Sequence, residues 1–352
     1  MEKDTAEYNK VQQASSSSSQ KFYSTIMSSG TLSDKISALT LAVQESPVHN
    51  AKSLETLINL GKKRSRAQAV EGLRSLKDMF AQGTLLPSDR RLRAFANQPS
   101  LVAAFQGAGS KWTEKDPLPG GLTNGHLIVW AFEHFLKDQY FEVLKIMEVW
   151  CNDEIEFSRS RALSYVFELL KEKPEQESNL LRLLVNKLGD PSKKIASRAS
   201  YLLLQLQQAH PMMKETVVTA VEEVLFRPGQ SQHAKYYGII TLNQTVLSLK
   251  EEKVAAHLLD IYFSLFVALL KPAKRGKGQQ GKKSGNKGGN NRKSKEEEAK
   301  GLAQDEEMRE KLVSAVLTGV NRAYPFTSSD TERYVFAPCA ILPKTDKLIL
   351  TV

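Results

Sequence analysis

Cysteine is almost missing from the sequence: the chain of 352 residues has two, Cys151 and Cys339. Two thiols exclude the disulfide framework of a small secreted protein, and neither cysteine lies in a Cys/His spacing that would hold zinc. The first ten residues are polar and lack a hydrophobic signal region, which argues against secretion. A reducing compartment is therefore the expected environment.

A long hydrophobic run is also missing. The most apolar stretch, 254–270, has seventeen residues and is interrupted by His257, Asp260 and Ser264. Because a transmembrane helix needs about 20 consecutive apolar residues, this stretch predicts a buried helix and no membrane partner.

Motifs for catalysis or cofactor binding are absent as well. The run 276–283 (GKGQQGKK) has the spacing of a dinucleotide fingerprint and nearly that of a P-loop, but both motifs need a strand before them and a helix after them. Neither flank fits that context. His126 and His134 have no cysteine or carboxylate that would complete a metal site. We therefore predict no catalytic residue, metal, cofactor or small-molecule substrate.

Net charge is missing from most of the chain. The sequence has 49 Lys and Arg against 39 Asp and Glu, and 271–295 alone holds ten cations and no acid, so the remainder is balanced. This stretch has six glycines and no large apolar side chain, so it cannot offset its ordering entropy. The range 271–298 is therefore predicted to be a disordered basic linker. Nonspecific phosphate contact and nuclear import both stay open as its role, through Lys274, Arg275, Lys277, Lys282, Lys283, Lys287, Arg292 and Lys293.

Helical periodicity is what the sequence has in abundance, and no convincing strand interrupts it. Capping boxes at 31–34 and 65–68 predict two helix starts. A helix is expected between them at 50–60, and a short one from Ser88. Apolar residues at helical spacing mark the buried faces: Ile36, Leu39 and Val43 in the first helix, and Ala69, Leu73, Leu76 and Phe80 in the third.

From residue 122 onward the pattern is helix after helix with short connections. Helix starts at 139, 175 and 212 lie about 36 residues apart, which is typical of stacked helical hairpins. Asp190 is expected to cap one helix, with Pro191 as its first residue. The predicted fold class is all-α, an α-solenoid of the HEAT or armadillo type that the basic linker interrupts. The helices are placed at 122–137, 139–151, 157–172, 175–188, 191–208, 212–226, 231–249 and 251–270.

The same patterns predict how the chain is divided into segments. Five consecutive serines at 15–19 indicate a flexible leader, and the last residues lack clear periodicity, so they are expected to be poorly ordered. The predicted segments are a leader at 1–27, an N-terminal helical region at 28–106, a loop at 107–121, HEAT-like repeats at 122–270, the linker at 271–298, an amphipathic helix that continues the array at 299–326, and an atypical C-terminal segment at 327–352.

Cations gather at one helix start. Lys62, Lys63, Arg64 and Arg66 lie where the helix dipole disfavours positive charge, and a bound phosphate would reverse that cost. Arg90, Arg91 and Arg93 are expected to extend the patch if neighbouring hairpins stack. RNA binding is one interpretation, and a solvated basic corner is the alternative.

A second candidate surface lies on the helix after Pro191. Its apolar face contains Ile195, Ala199, Leu202, Leu203 and Leu206, and the opposite face follows helical spacing with Lys194, Arg198, Tyr201, Gln205 and Gln208. In a HEAT array such a face lines the concave wall, so RNA or a partner protein is its expected ligand. A solvated helix face is the alternative.

Four segments resemble a known family: 28–39 (SSGTLSDKISAL), 44–47 (QESP), 62–69 (KKRSRAQA) and the highly specific 312–325 (LVSAVLTGVNRAYP). They resemble the nucleolar complex protein family, also called the CCAAT-binding-factor family. The resemblance implies an α-solenoid assembly factor of the large ribosomal subunit in the nucleus and nucleolus. The partners that it implies are precursor ribosomal RNA, a second nucleolar complex protein and other pre-ribosomal assembly factors.

Family members are much longer, so the chain is expected to be the N-terminal part of such a protein. A CCAAT-type DNA-binding transcription factor, as the older family name suggests, is one alternative function. It should require a helix-turn-helix, a basic zipper or zinc fingers, and the sequence has none of these patterns. A protein-only helical-repeat scaffold is the other alternative.

Overall fold

A computed structural model describes residues 1–14, 18–63, 65–83, 85–108, 112–113, 116–270 and 291–327. Within these ranges the backbone forms α-helices, 3₁₀ turns and loops, and no strand. The predicted all-α class is therefore confirmed. The chain divides into two compact units, Met1–Lys187 and Leu188–Val352.

The first unit is a set of packed helical hairpins. Its helices are α1 (Glu2–Ala14), α2 (Ser18–Ser29), α3 (Leu32–Glu45), α4 (Ala51–Gly61), α5 (Arg66–Ala81), α6 (Pro99–Ala108), α7 (Asn124–Cys151), α8 (Glu156–Glu172) and α9 (Glu177–Asn186). Helix α4 packs against α5 and α7 against α8, while α4 also contacts α7 and α5 contacts α8. Helices α5 and α8 run in the same direction, because Arg66 pairs with Asp153 just before α8 and Lys77 pairs with Glu168 further along.

The predicted capping and core of this unit are largely confirmed. Thr31 and Asp34 form the capping box of α3, and the apolar residues predicted for α3 and α5 are buried. The box at 65–68 is wrong, since the Ser65 side chain makes no capping hydrogen bond. An ion pair instead holds the first turn of α5, from Arg66 to Asp153.

The range 1–27, expected to be a flexible leader, contains α1 and most of α2. Helix α1 is held by His49, whose Nε2 lies 3.0 Å from Asp4 Oδ2 and whose ring stacks on Tyr8 at 4.1 Å between centroids. The other ring nitrogen of His49 lies 2.6 Å from Ser46 Oγ. The contacts of His49 with α1 span more than forty residues of sequence, so local composition gave no sign of them.

The structure of this unit also differs from the prediction at several helix boundaries and at one expected helix. Helix α7 is continuous where a break was expected at residue 138, because no glycine or proline interrupts it there. The short helix from Ser88 does not form. Residues 85–94 are irregular, since distant side chains bind their backbone: the Leu92 amide donates to Glu175 Oε2 at 2.6 Å, and Lys173 Nζ donates to the Leu86 carbonyl at 2.9 Å.

The second unit packs its helices in the same pairwise way. Its helices are α10 (Lys193–Ala209), α11 (Lys214–Leu225), α12 (Gln232–Gln244), α13 (Glu252–Leu270) and α14 (Asn291–Ala323). Helix α12 contacts α10 and α11, and α14 contacts α12 and α13. The face of α10 that contains Ile195, Ala199, Leu202, Leu203 and Leu206 is buried, as predicted.

The largest differences from the predicted helix bounds in this unit have local causes or extend over several residues. Helix α10 begins at Lys193 and not at Pro191, because Asp190 Oδ1 accepts the Ser192 amide at 3.0 Å in a turn that precedes the helix. Helix α12 ends at Gln244, five residues early. Helix α14 begins at Asn291, inside the range 271–298 assigned to the linker, because lysine, arginine and glutamate there favour helix. The rest of the linker and 328–352 lie outside the described residues.

Helix α13 is the core helix of the second unit. In the part of the chain that the structure describes, it alone is long and apolar enough to cross a membrane. Its residues Leu258, Leu259, Ile261, Tyr262 and Leu265 are nevertheless buried. Packing of α11 and α14 against α13 accounts for these buried residues, whereas Val267 and Leu270 near its C-terminal end are each 38% exposed.

Candidate nucleic-acid interface

The predicted basic corner lies between α4 and α5, and two of its cations are already paired. Lys62 Nζ donates to Glu142 Oε2 at 2.9 Å, and Arg66 donates two hydrogen bonds of 3.0 Å to the Asp153 carboxylate. The hydrogen bond from Arg66 holds the pKa of Asp153 below its usual range. Lys63 is exposed, and Arg64 lies outside the described residues.

A groove of about 550 Å³ opens beside this corner, and we call it the α7 groove. Ile146 and Trp150 are almost fully buried, whereas Val149 is 70% exposed. Lys145 Nζ lies 5.0 Å from the centroid of the Phe141 ring and 2.6 Å from Glu142 Oε1. The lining is Gly61, Lys62, Lys63, Arg66, Lys145, Ile146, Val149, Trp150 and Asp153.

One carboxylate connects two cations at the edge of the α7 groove. Glu142 accepts hydrogen bonds from both Lys145 and Lys62, and these two contacts lower its pKa. The edge therefore already binds carboxylates of its own chain.

Arg90 does not extend the basic corner. Its guanidinium binds Glu133, which also accepts the Arg93 amide and the Gln98 side-chain amide, each at 2.9 Å. Burial by itself raises the pKa of Glu133, but the hydrogen bonds from Arg90, Arg93 and Gln98 outweigh it, so the pKa is lowered. Glu133 lies nine residues before Glu142 on α7, or about 13 Å along the helix.

Arg91 is held in a similar way. Its Nη2 donates to Glu177 Oε2 at 2.6 Å and its Nε to the Pro174 carbonyl at 3.2 Å. The Arg93 side chain is exposed. Arg90 and Arg91 thus fasten the irregular segment 85–94 to α7 and to the start of α9.

The predicted stripe on α10 is present on the surface of the second unit. Lys194, Arg198 and Tyr201 are exposed on one face, and Tyr201 is 56% exposed. Gln205 Nε2 donates to the Tyr201 hydroxyl at 2.9 Å, which orients the ring. The helix contains three cations and no acidic residue. This combination of cations with an exposed aromatic ring suits contact with phosphates and unpaired bases.

Sequence reasoning missed two exposed pairs of an aromatic ring and a cation. Phe141 lies below Lys145, and Phe157, which is 56% exposed, lies 5.2 Å from the Arg161 guanidinium. The signal that would have found both is the i,i+4 spacing of an aromatic residue and a cation on one helix.

Most of the predicted linker cations lie outside the described residues, namely Lys274, Arg275, Lys277, Lys282, Lys283 and Lys287. The backbone of Arg292 and Lys293 belongs to the first turn of α14. Among the residues that the structure describes, no group of three or more His, Cys, Asp or Glu side chains could hold a metal ion.

Fold and site together define an all-α protein of packed helical hairpins whose exposed faces combine cations with aromatic rings. No family model matches the sequence. Curated relatives do match it. The chain is 55% identical over 335 residues to "Ribosome biogenesis protein NOC1" of Chaetomium thermophilum, which covers 94% of this chain and 32% of the relative. It belongs to the nucleolar complex protein family, also called the CCAAT-binding-factor family.

Two further relatives carry different names. "CCAAT/enhancer-binding protein zeta" of Homo sapiens is 35% identical over 309 residues, which is 88% of this chain and 25% of the relative. "Nucleolar complex protein 1" of Drosophila melanogaster is 34% identical over 251 residues, or 71% of this chain and 20% of the relative. The chain thus spans a fifth to a third of the length of these relatives.

Proposed function

We propose that the chain is part of a nucleolar ribosome-biogenesis factor, a nonenzymatic scaffold that binds precursor ribosomal RNA and partner assembly factors of the large subunit. The observation that carries the proposal is the 55% identity, over 94% of this chain, to a relative named as a ribosome-biogenesis protein. The name of the Drosophila melanogaster relative supports a nucleolar location.

The helical hairpins support an architecture suited to a scaffold. In the first unit, α4 contacts α7 and α5 contacts α8, which is the pairing expected of two successive HEAT-type repeats. We extend this to a HEAT-like α-solenoid as the proposed architecture. Such arrays bind through long surfaces, so affinity comes from many moderate contacts spread over several helices.

RNA contact is proposed for the α10 face because it exposes two cations and an aromatic ring together. Lys194 and Arg198 would bind phosphates, and Tyr201 would stack on an unpaired base. At the basic corner, Lys62 is paired with Glu142 and Arg66 with Asp153, so a phosphate would have to displace these carboxylates. RNA contact by Lys62, Lys63, Arg64 and Arg66 stays a prediction.

Partner proteins and nuclear import complete the proposal. The protein partners are a second nucleolar complex protein and other pre-ribosomal assembly factors. The basic pairs Lys274-Arg275 and Lys282-Lys283 would serve nuclear import, nonspecific phosphate contact, or both.

The name of the human relative favours one second candidate, a DNA-binding transcription factor. The two functions differ in the nucleic acid that binds best. We would measure binding of the purified chain to structured precursor ribosomal RNA in competition with duplex DNA containing a CCAAT sequence. The proposal expects RNA to compete better, and a clear preference for the CCAAT duplex would overturn it.

The α10 face is tested in the same assay with three substitutions, Lys194→Ala, Arg198→Ala and Tyr201→Ala, made together. The control is the pair Lys52→Ala and Arg74→Ala, which removes two exposed cations from the first unit. We expect the α10 variant to bind RNA at least about tenfold more weakly and the control to bind as before. Equal RNA binding by all three proteins would refute the α10 assignment. If the chain binds a partner protein in the absence of RNA and does not bind RNA at all, the protein-only scaffold is favoured.

A further inference from the structure

The floor of the α7 groove has the character of a protein-binding surface. Val149 is 70% exposed, although it lies in a concave site beside the nearly buried side chains of Ile146 and Trp150. A sugar-phosphate backbone is polar and charged, so it would make few favourable contacts with this apolar surface. An aliphatic or aromatic side chain of a partner protein could instead bury apolar area there, away from water.

The rim of the groove is cationic. Lys62, Lys63, Arg66 and Lys145 line it, and two carboxylates, Glu142 and Asp153, are bound to these cations. Four cations against two carboxylates leave two positive charges. Lys63 is exposed and has no ion pair among the described side chains of this rim, so it is available to a carboxylate from outside.

Geometry favours a carboxylate over a phosphate chain as the ligand of this rim. Arg66 holds Asp153 through two parallel hydrogen bonds, and Glu142 lies between two ammonium groups. The site is thus already arranged around carboxylates, with an apolar floor next to them. A nucleic acid would need several cations without internal partners and would leave the floor uncovered.

We infer that the α7 groove binds a peptide segment of a partner protein in which an aliphatic or aromatic residue is flanked by Asp or Glu. The apolar side chain covers Val149 between α5 and the end of α7, and a flanking carboxylate pairs with Lys63. The inference rests on the proposed scaffold function, and it names the chemistry by which one class of partner docks.

The test uses the full chain and a random peptide library displayed on phage. Selected peptides should share an aliphatic or aromatic residue next to Asp or Glu. One such peptide, labelled with a fluorophore, is then titrated with the wild-type chain, with Val149→Asp and with Val246→Asp. Val246 is an exposed valine of the second unit, 55% exposed, and serves as the matched control. We expect Val149→Asp to weaken peptide binding at least about tenfold and Val246→Asp to leave it unchanged.

Charge exchange tests the rim. Lys63→Glu should weaken binding of the acidic peptide, and a peptide in which the flanking acid is replaced by Lys should restore it. The matched control is Lys52→Glu, an exposed lysine at the start of α4. Weaker binding without restoration would show that Lys63 does not face the peptide carboxylate, and the inference would fail.

RNA is the competing occupant, so every variant is also titrated with single-stranded RNA. The inference expects Val149→Asp to leave RNA affinity unchanged. If Val149→Asp and Lys63→Glu weaken RNA binding and not peptide binding, the groove is an RNA site and the inference is overturned. It is also overturned if no selected peptide depends on Val149. If the wild-type chain binds the peptide and no RNA, the RNA part of the proposed function fails while the groove assignment stands.

Discussion

Gly319 of α14 lies directly against the ring of Tyr262 of α13. A β carbon at position 319 would come within 2.6 Å of Tyr262 Cε1 and 2.5 Å of Asn243 Oδ1. One turn earlier, Asn243 Nδ2 donates to the Ala315 carbonyl at 2.8 Å, so three helices meet at this point. The glycine belongs to the segment 312–325, the most specific of the four family-like segments, and close helix packing explains why glycine stands there.

The first prediction concerns this contact. Gly319→Ala should lower the free energy of unfolding by about 1–3 kcal/mol, because the ring of Tyr262 is fully buried and has little room to move. This clash should exceed the gain of up to about 1 kcal/mol that alanine brings to a helix. Thermal unfolding followed by circular dichroism measures the change. Gly107→Ala is the control, since a β carbon there meets no atom within 4 Å, and it should be neutral or slightly stabilising. A Gly319→Ala chain as stable as wild type would contradict the packing.

The second prediction concerns Lys77, whose nearly buried side chain joins α5 to α8. Its ammonium group binds Asp78 and Glu168. Burial lowers the pKa of Lys77, but the hydrogen bonds to these carboxylates outweigh it and raise the pKa. Lys77→Ala removes both the packed aliphatic stem and these hydrogen bonds, so it should lower the free energy of unfolding by about 1–3 kcal/mol.

Lys77→Met separates packing from charge, because it keeps most of the aliphatic stem. Asp78 and Glu168 are partly exposed and remain hydrated without the lysine, so Lys77→Met should cost less than Lys77→Ala. Urea unfolding of the three proteins gives the ranking. Equal destabilisation by Met and Ala would mean that the ion pairs, and not the packed stem, carry the effect.

The third prediction concerns pH and Glu133. Because the folded state lowers the pKa of Glu133 below its unfolded value of about 4.3, its contribution is present in full above that value and is lost as the pH falls through the folded pKa. Glu133→Gln should thus be less stable than wild type by about 1–3 kcal/mol at neutral pH. The difference should shrink as the pH falls below about 4.

Urea unfolding of wild type and Glu133→Gln at several pH values checks this dependence. Glu172→Gln is the control, since the pair that Glu172 forms with Lys171 is solvent-exposed and should contribute little at any pH. A difference between wild type and Glu133→Gln that is constant with pH would show that ionisation of Glu133 is not its cause.

The helices were predictable from the sequence wherever a repeating apolar stripe was sufficient. The buried faces of α3, α5 and α10 follow from spacing alone, because burial of one face of a helix is a local pattern. The helical state of α1 and the irregular backbone at 85–94 were not predictable. Both depend on contacts between residues far apart in sequence, such as Asp4 with His49 and Leu92 with Glu175.

The same distinction holds for the candidate surfaces. The α10 stripe lies on one helix, so its geometry could be derived from residue numbers. The ion pairing of the basic corner could not be derived in this way, because the partner of Arg66 lies 87 residues away in the sequence and that of Lys62 lies 80 residues away. The number of cations predicts a positive patch, whereas the folded chain supplies carboxylates to two of them. The α7 groove also requires α7 to pack beside α4 and α5, which no local pattern indicates.

The last prediction separates the basic linker from the α10 face in RNA binding. A chain in which the eight linker cations from Lys274 to Lys293 are replaced by Gln or Ser has the same length and carries eight fewer positive charges. If phosphate contact is one role of the linker, this chain should bind RNA with a weaker salt dependence, by roughly 0.7 in log–log slope for each phosphate that is no longer neutralised. Its preference for structured RNA over a random RNA should stay the same, because such cations bind phosphates without recognising sequence or shape.

Tyr201→Ala should have the opposite effect on these two quantities: it should weaken RNA binding and leave the salt slope unchanged, since stacking releases no counterions. Filter binding over a series of salt concentrations gives both quantities. A linker variant with wild-type slope would leave nuclear import as the role of these cations, which a fluorescent fusion in cells would reveal as reduced nuclear accumulation.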